Sequence, residues 1–357
     1  MPSLYLHPLS PPRHTYTSLV SDDTSRKLVP YKDEELALSQ ELAASIKRLQ
    51  DYADAAWAEN TVRAYYSDWE HFSAWCAEHN LEALPASVET IGLYLGSIAP
   101  EFSLATIERR LASISAAHRE RGISNPTSVS EGPLMRVWRG LVREKTRRQD
   151  KAEPLMAKDL RLIVQNLPRD PETGELTLAS IRDRALLLIG WAGALRRSEI
   201  VALTTDDTEF VAGEGLNLYI RKSKSDQEGY GLVKGIPYGD HVDTCPVTGL
   251  RTWLQAARIE KGPVFRGFYK GGRVRKTALT AQYVSLILKE HSARVGLSTE
   301  DFSAHSLRSG FITQAIRAGK SERRVKEHSG HKSWETFNGY VKQASTFEGN
   351  PAKGIGL

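Results

Sequence analysis

Five groups of residues in the second half of this 357-residue chain have the types and spacing to do chemistry. Arg196 and Glu199 stand three apart in Ala194-Leu-Arg-Arg-Ser-Glu-Ile200, directly after the apolar run Ala185–Trp191. At that spacing a carboxylate shares a helix face with a guanidinium and orients it. Lys222 and Lys224 lie where a strand enters a hairpin turn. His305 and Arg308 are at i and i+3 at a helix start, where free N–H groups already favour a phosphate. His331 follows Gly330, and Tyr340 comes nine residues later. Guanidiniums, an ammonium, imidazoles and a phenol can together hold an anion, move a proton and supply an oxygen nucleophile. Taken singly, each group has a plainer account: a structural Arg–Glu pair, a solvated turn lysine, a helix cap, a packed histidine.

The elements that must position these groups are read from periodicity. The first half is helical. Glu34–Ala58 is rich in Ala, Leu and Glu. Asn60 is placed to cap a second helix, in which Val62, Tyr65, Tyr66, Trp69, Phe72 and Trp75 recur at steps of three and four. Ser87 opens a third helix with Val88, Ile91, Leu95 and Ile98 on one side. Ser103 opens a fourth with Leu104, Ile107, Leu111 and Ile114 inward. Pro133 suits the first turn of a fifth, running to about Arg147. The second half mixes helix and strand. Helices are expected at 157–166, 178–193, 243–261, 280–296, 304–318 and 321–329, with another after Ser333. Leu216–Ile220 and Leu232–Pro237 alternate like the strands of a hairpin.

The order of the groups says more than any one of them. Gly193-Ala-Leu-Arg196-Arg-Ser-Glu199-Ile, then Lys224, then His305-Ser-Leu-Arg308-Ser-Gly-Phe, then Ser329-Gly-His331-Lys-Ser, then Tyr340, closely resembles the tyrosine recombinases, the integrases of the lambda, Xer and Cre type. The resemblance covers the second half. The first half matches in being a helical bundle of suitable length.

The resemblance implies that Arg196 and Arg308 fork onto a phosphodiester's non-bridging oxygens and that His331 adds a hydrogen bond. It makes Tyr340 the nucleophile that forms a 3′-phosphotyrosyl bond. His305 becomes its general base or a phosphate-orienting donor. Lys224 becomes the acid that protonates the leaving 5′-oxygen, with Lys222 its rival in hairpin register. Glu199 supports Arg196. The implied reaction needs no cofactor, no ATP and no metal, because cations of the protein neutralise the developing charge. Implied partners are double-stranded DNA with a specific recombination site, a homo-tetramer on paired sites, and accessory directionality proteins. Members of the family often donate a C-terminal segment to a neighbouring subunit; here Val341–Leu357 follow the tyrosine. A type IB topoisomerase or a telomere resolvase uses a similar residue set, and a non-catalytic DNA-binding accessory protein is a further alternative. The Gly-His box and the Arg-Arg-Ser-Glu run favour the recombinase.

Composition agrees with a DNA-acting protein. The net charge is +5. It is unevenly spread: 51–100 holds one basic residue against eight acidic, whereas 101–150 holds ten against six. Concentrated positive charge is what counterion release from a duplex rewards. Arg136, Arg139 and Arg143 share one helix face, and Arg109 and Arg110 sit in the preceding helix. Together with Arg147 and Arg148 they are the candidate DNA contacts. Cys76 and Cys245 are far apart and read as reduced thiols, not a zinc site or a disulfide. No apolar run approaches the ~20 residues that span a bilayer, and the Ser-, Thr- and Pro-rich start lacks the apolar region of a secretory signal. A cytoplasmic protein, nucleoid-associated when on DNA, is expected.

The expected fold is mainly α with a small β-sheet in the second domain. It comprises a flexible arm (1–30), a helical core-type DNA-binding domain (31–147), a charged linker (148–154) and an α+β catalytic domain (155–357). The two domains are expected to form a C-shaped clamp on a duplex.

Overall fold

The computed structural model describes residues 44, 45, 48, 59–130, 132–146, 152–221 and 231–344. The expected N-terminal arm, most of the expected helix Glu34–Ala58, Arg147, Arg148, Lys222, Lys224 and the tail beyond Ala344 lie outside the described residues. The chain divides into two compact units, Met1–Gln149 and Asp150–Leu357. Among the described residues no helix is long and apolar enough to cross a membrane.

The first unit contains helices α1 (Glu59–Glu78), α2 (Val88–Ile98), α3 (Leu104–Glu120) and α4 (Leu134–Thr146). Ser87 and Ser103 cap α2 and α3 by accepting from the N–H groups of Thr90 and Thr106, as their side chains and positions lead one to expect. Ile91, Leu95, Ile107, Leu111 and Ile114 form the core with Trp69 and Phe72 of α1. The stripe on α1 is buried only in its second half: Val62 and Tyr66 are exposed. Asn60 lies inside α1 and not ahead of it. His118 is buried and ties α3 to the loop before α2, its Nε2 accepting from Ala86 N at 2.9 Å.

An ionic cluster joins α1 to α3. Asp68 takes two hydrogen bonds from Arg109, at 2.7 and 3.1 Å, and its carboxylate also lies 3.6 Å from Arg110. Arg110 is buried, with its guanidinium 3.8 Å above the Phe102 ring and 3.3 Å from the Tyr94 hydroxyl. Its charge is spent holding helices together. Of the two candidate DNA contacts on this helix, Arg109 is exposed and Arg110 is not, since adjacent residues on a helix point about 100° apart. Arg136, Arg139 and Arg143 are exposed on α4.

The second unit surrounds α6 (Leu178–Ala192), whose residues Leu186–Ile189 are almost wholly buried. Around it lie α5 (Ala157–Gln165), the short α7 (Arg197–Ala202), α8 (Pro246–Ala256), α9 (Ala281–Arg294), α10 (Ala304–Arg317), α11 (Glu322–Ser329) and α12 (Trp334–Ala344). A three-stranded antiparallel sheet runs in the order β1 (Thr208–Val211), β2 (Gly215–Ile220), β3 (Leu232–Pro237), with Leu218 opposite Lys234. A second hairpin, β4 (Arg266–Phe268) with β5 (Val274–Ala278), turns at Gly271 and Gly272 and exposes Tyr269 between Arg273 and Arg275. Neither β1 nor this hairpin is legible in the sequence, because strands of three to five residues show no sustained alternation.

The helix expected over 243–261 is shorter. Pro246, which has no N–H to donate, occupies the first turn of α8. At the other end Arg258 has φ +51, which a continuing right-handed helix does not admit. Both cysteines are free and buried, and Cys245 Sγ accepts from Gly239 N and Thr248 N.

Candidate active site

The site is built around the C-terminal end of α6. Gly193 closes the helix, and Ala194 turns left-handed at φ +45, with its N–H bonded to Trp191 O. The chain then re-enters helix at Arg196, the N-cap of α7. Glu199 is buried and bridges both parts of Arg196: one oxygen accepts from its backbone N–H at 2.9 Å, the other from its guanidinium at 2.6 Å. The spacing of three therefore orients Arg196 while leaving its side chain 23% exposed for an anion.

His305 and Arg308 enter on the first turn of α10. Ser303 caps this helix, exchanging hydrogen bonds with Ser306 in a capping box. Arg308 is 1% exposed. It donates to Ala194 O at 2.7 Å and reaches the His331 ring at 3.2 Å. Such depth requires α10 to lie almost on the chain at Leu155, and Gly310 permits it: a Cβ there would stand 1.9 Å from Leu155 O.

His331 follows Gly330, which ends α11 in the left-handed conformation at φ +70. Its Nδ1 is 2.8 Å from Ser329 Oγ. Helix α12 then brings Tyr340 back over the site. Phe337 anchors it, fully buried against Ile312, Ile316 and Val325. The Tyr340 hydroxyl comes to 2.7 Å from His305 Nε2, and its ring centre lies 5.4 Å from that of His331.

Five of the six expected catalytic residues, Arg196, His305, Arg308, His331 and Tyr340, thus meet in one place from four separate segments. Lys224 lies outside the described residues. A further basic side chain, not singled out in the sequence, reaches the same place. Lys234 on β3 is 2% exposed and donates from Nζ to Gly193 O at 2.7 Å. Its signal was a basic residue on the inward parity of an alternating strand, between the buried faces of Leu218 and Ile236.

Basic groups packed this closely shift one another. Burial, then Arg308 and Arg196, pushes His331 down to about 3. Burial and the same two arginines lower His305, and burial lowers His328. Burial also brings Arg308 down to about 10 and Lys234 to about 7, against a countervailing pull from Glu199. Tyr340 is raised by burial, with Arg308 and Arg196 opposing. At neutral pH the histidines are therefore neutral and Tyr340 keeps its proton.

A stability dependence follows. Below about 6.5 the unfolded chain gains protons on histidines that the native site still excludes, so stability falls with pH, and continues to fall toward the His331 value of about 3. Urea midpoints at pH 7.5 and 5 will show this. The share owed to His331 is read from His331→Asn, whose midpoint is expected to drop less over the same interval. An equal or larger drop would rule out that share.

Comparison with known proteins agrees with this geometry. Residues 154–346 match the model of the phage integrase family. The chain is 34% identical over 294 residues to an integrase/recombinase XerD homolog of Selenomonas ruminantium, covering 82% of this chain and 84% of that protein. It is 24% identical over 314 residues to the tyrosine recombinase XerD of Yersinia pestis, covering 83% and 93%. Among solved structures it resembles the XerH site-specific recombinase bound to a palindromic difH substrate after cleavage, with TM-score 0.55, 17% identity, and coverage of 80% and 79%. It also resembles a lambda integrase dimer bound to a COC′ core site, with TM-score 0.52, 18% identity, and coverage of 84% and 94%. An arginine pair, two histidines and a tyrosine gathered at the end of one buried helix, on a fold and a sequence shared with these proteins, make the chain a member of the phage integrase family, a tyrosine-type site-specific recombinase.

Proposed function

We propose that this recombinase cleaves and rejoins duplex DNA at a specific site through a covalent 3′-phosphotyrosyl bond to Tyr340, without ATP or a metal ion. The 2.7 Å approach of His305 Nε2 to the Tyr340 hydroxyl, beside two guanidiniums, carries this reading. A phosphodiester binds between Arg196 and Arg308, which neutralise the charge that grows on its equatorial oxygens. Tyr340 oxygen attacks phosphorus and its proton passes to His305, which is neutral and able to accept it. The bond to the 5′-oxygen breaks, and Lys224, or Lys222 in the alternative register, supplies the leaving oxygen's proton. The new phosphotyrosyl ester keeps the energy of the broken bond, so the reverse step rejoins a strand without ATP.

Arg136, Arg139 and Arg143 on the exposed face of α4, with Arg109, Arg147 and Arg148, are assigned to the DNA backbone. Arg110, being buried, is not. The substrate is a pair of specific duplex sites held by four protomers, the arrangement suggested by a lambda integrase tetramer bound to a Holliday junction, a structure this chain matches with TM-score 0.52. Accessory proteins set the direction of exchange.

The test is to incubate the whole chain with DNA carrying its source locus, stop with SDS, and look for a protein–DNA adduct with and without EDTA. An adduct of equal yield in both is expected, and sequencing the trapped ends gives the site. Loss in EDTA with recovery in Mg²⁺ would overturn the metal-free assignment. Relaxation of supercoiled DNA of any sequence would mark a type IB topoisomerase instead. Duplex binding without any adduct would mark an accessory protein.

A further inference from the structure

Three successive carbonyls at the end of α6 each hold a basic side chain from a different element. His328 of α11 places Nε2 2.8 Å from Ala192 O. Lys234 of β3 donates to Gly193 O at 2.7 Å, and Arg308 of α10 donates to Ala194 O at 2.7 Å. The last carbonyls of a helix have no partner within it and carry the negative end of its dipole. The left-handed Ala194 then returns the chain to Arg196 two residues on. One turn, Gly193–Leu195, therefore carries Arg196 covalently and Arg308 by hydrogen bond.

The mechanism above makes no use of Lys234, yet it is the tie between this turn and the sheet. Its ammonium is buried, and among the described residues no carboxylate hydrogen-bonds to it. Glu199 is the opposite charge that acts on it, and Arg308 and Arg196 repel it. His328 and His331 face it as neutral rings, both disfavoured as cations by Lys234 itself. Leu218 lies opposite on β2 and brings no charge. A lysine kept for packing alone has no reason to sit here, since a hydrophobic residue of similar volume avoids the cost of burying the charge.

We propose that Lys234 is a positioning residue of the phosphate site: it holds the turn on which Arg196 and Arg308 are mounted, and takes up a proton from solvent when an anion lies between the two guanidiniums. This rests on the reading of that pair as the phosphate site. In the free protein, burial and the two arginines leave the amine half-protonated at about pH 7. An anion between the arginines offsets their repulsion, so the ammonium form is favoured. The added buried charge then falls within reach of the phosphate as its own negative charge grows.

The experiment uses the whole chain labelled with ¹³C at lysine Cε, titrated with pH in the absence and presence of saturating sulfate, a tetrahedral anion that does not itself titrate in this range. One lysine resonance is expected to have its midpoint near neutrality, and sulfate is expected to move it up by about one pH unit. Loss of that resonance in Lys234→Met assigns it. A midpoint that sulfate leaves in place overturns the proposal. A second arm follows adduct formation in a single turnover. Lys234→Met is expected to be slower by about tenfold or more at unchanged duplex affinity, and to lose the decline in rate above about pH 8 that follows once the bound phosphodiester has raised the midpoint from about 7. Lys234→Arg is expected to restore rate without that decline. A Lys234→Met profile identical to the native one also overturns the proposal. Absence of any adduct from the native chain would sink the phosphotyrosyl reading, while the sulfate titration judges Lys234 by itself.

Discussion

Replacing Tyr340 by Phe is expected to abolish the protein–DNA adduct completely while leaving duplex affinity within about threefold and stability within about 1 kcal/mol. The substitution removes one oxygen. The ring remains beside His331 and on the face of α12 that Phe337 anchors, so the helix keeps its seat. What disappears is the atom 2.7 Å from His305 Nε2. Among the described residues, Tyr269 and Tyr283 do not replace it, being exposed on a separate hairpin and on α9. An SDS-resistant adduct is a yes-or-no readout, and removing a covalent nucleophile leaves no slower version of the same intermediate. The measurement is a gel of trapped complexes beside a band-shift titration of the same two proteins. An adduct that persists in the variant would assign the chemistry to another nucleophile. A collapse in duplex affinity would instead mean that Tyr340 serves binding.

Gly310→Ala is expected to destabilise the second unit by about 1–4 kcal/mol, and to take the adduct with it. A Cβ at this position would lie 1.9 Å from Leu155 O, 2.7 Å from its carbonyl carbon and 2.9 Å from its nitrogen. All three are backbone atoms, so no rotamer change relieves the overlap. Separating α10 from this strand of chain breaks the bond from Leu155 N to Ser306 O, at 3.0 Å, and strains that from Trp191 Nε1 to Leu155 O, at 2.9 Å. Overpacking costs about 1–3 kcal/mol, and each hydrogen bond about 1 kcal/mol. The helix preference of Ala over Gly, about 1 kcal/mol, returns part of this. Because α10 carries both His305 and Arg308, its displacement also pulls Arg308 from Ala194 O. Gly339→Ala supplies the contrast. It too is helical, but nothing lies within 4 Å of its added Cβ, so that variant should match or exceed the native stability in urea. A native-like midpoint for Gly310→Ala would show that the two segments separate at little cost.

Much of the architecture is written in local chemistry. Ser87 and Ser103 each cap the helix their position announces, because a cap depends on a side chain and the next three N–H groups and on nothing remote. The strand Leu232–Pro237 and the helices from Ala304 onward follow from period and punctuation. The proposed catalytic set is legible for a related reason. Arg196 with Glu199, and His305 with Arg308, are pairs within a helical turn, so their mutual geometry is settled by spacing alone. That Tyr340 closes on His305, 35 residues away, is legible only through the order of motifs shared with a family.

Tertiary structure decided the rest. Arg109 and Arg110 are adjacent and chemically identical, yet one is exposed and the other is buried over Phe102. Both reach Asp68, and what separates them is the Tyr94 hydroxyl and the Phe102 ring, which meet Arg110 alone. Strand parity turns Lys234 inward, but what it meets there is decided only when the end of α6 is set beneath it, and Gly310 reads as a weak point in a helix until Leu155 crosses it. Partners distant in sequence choose each other through the shape of the folded core, and no local pattern of residue types records that choice.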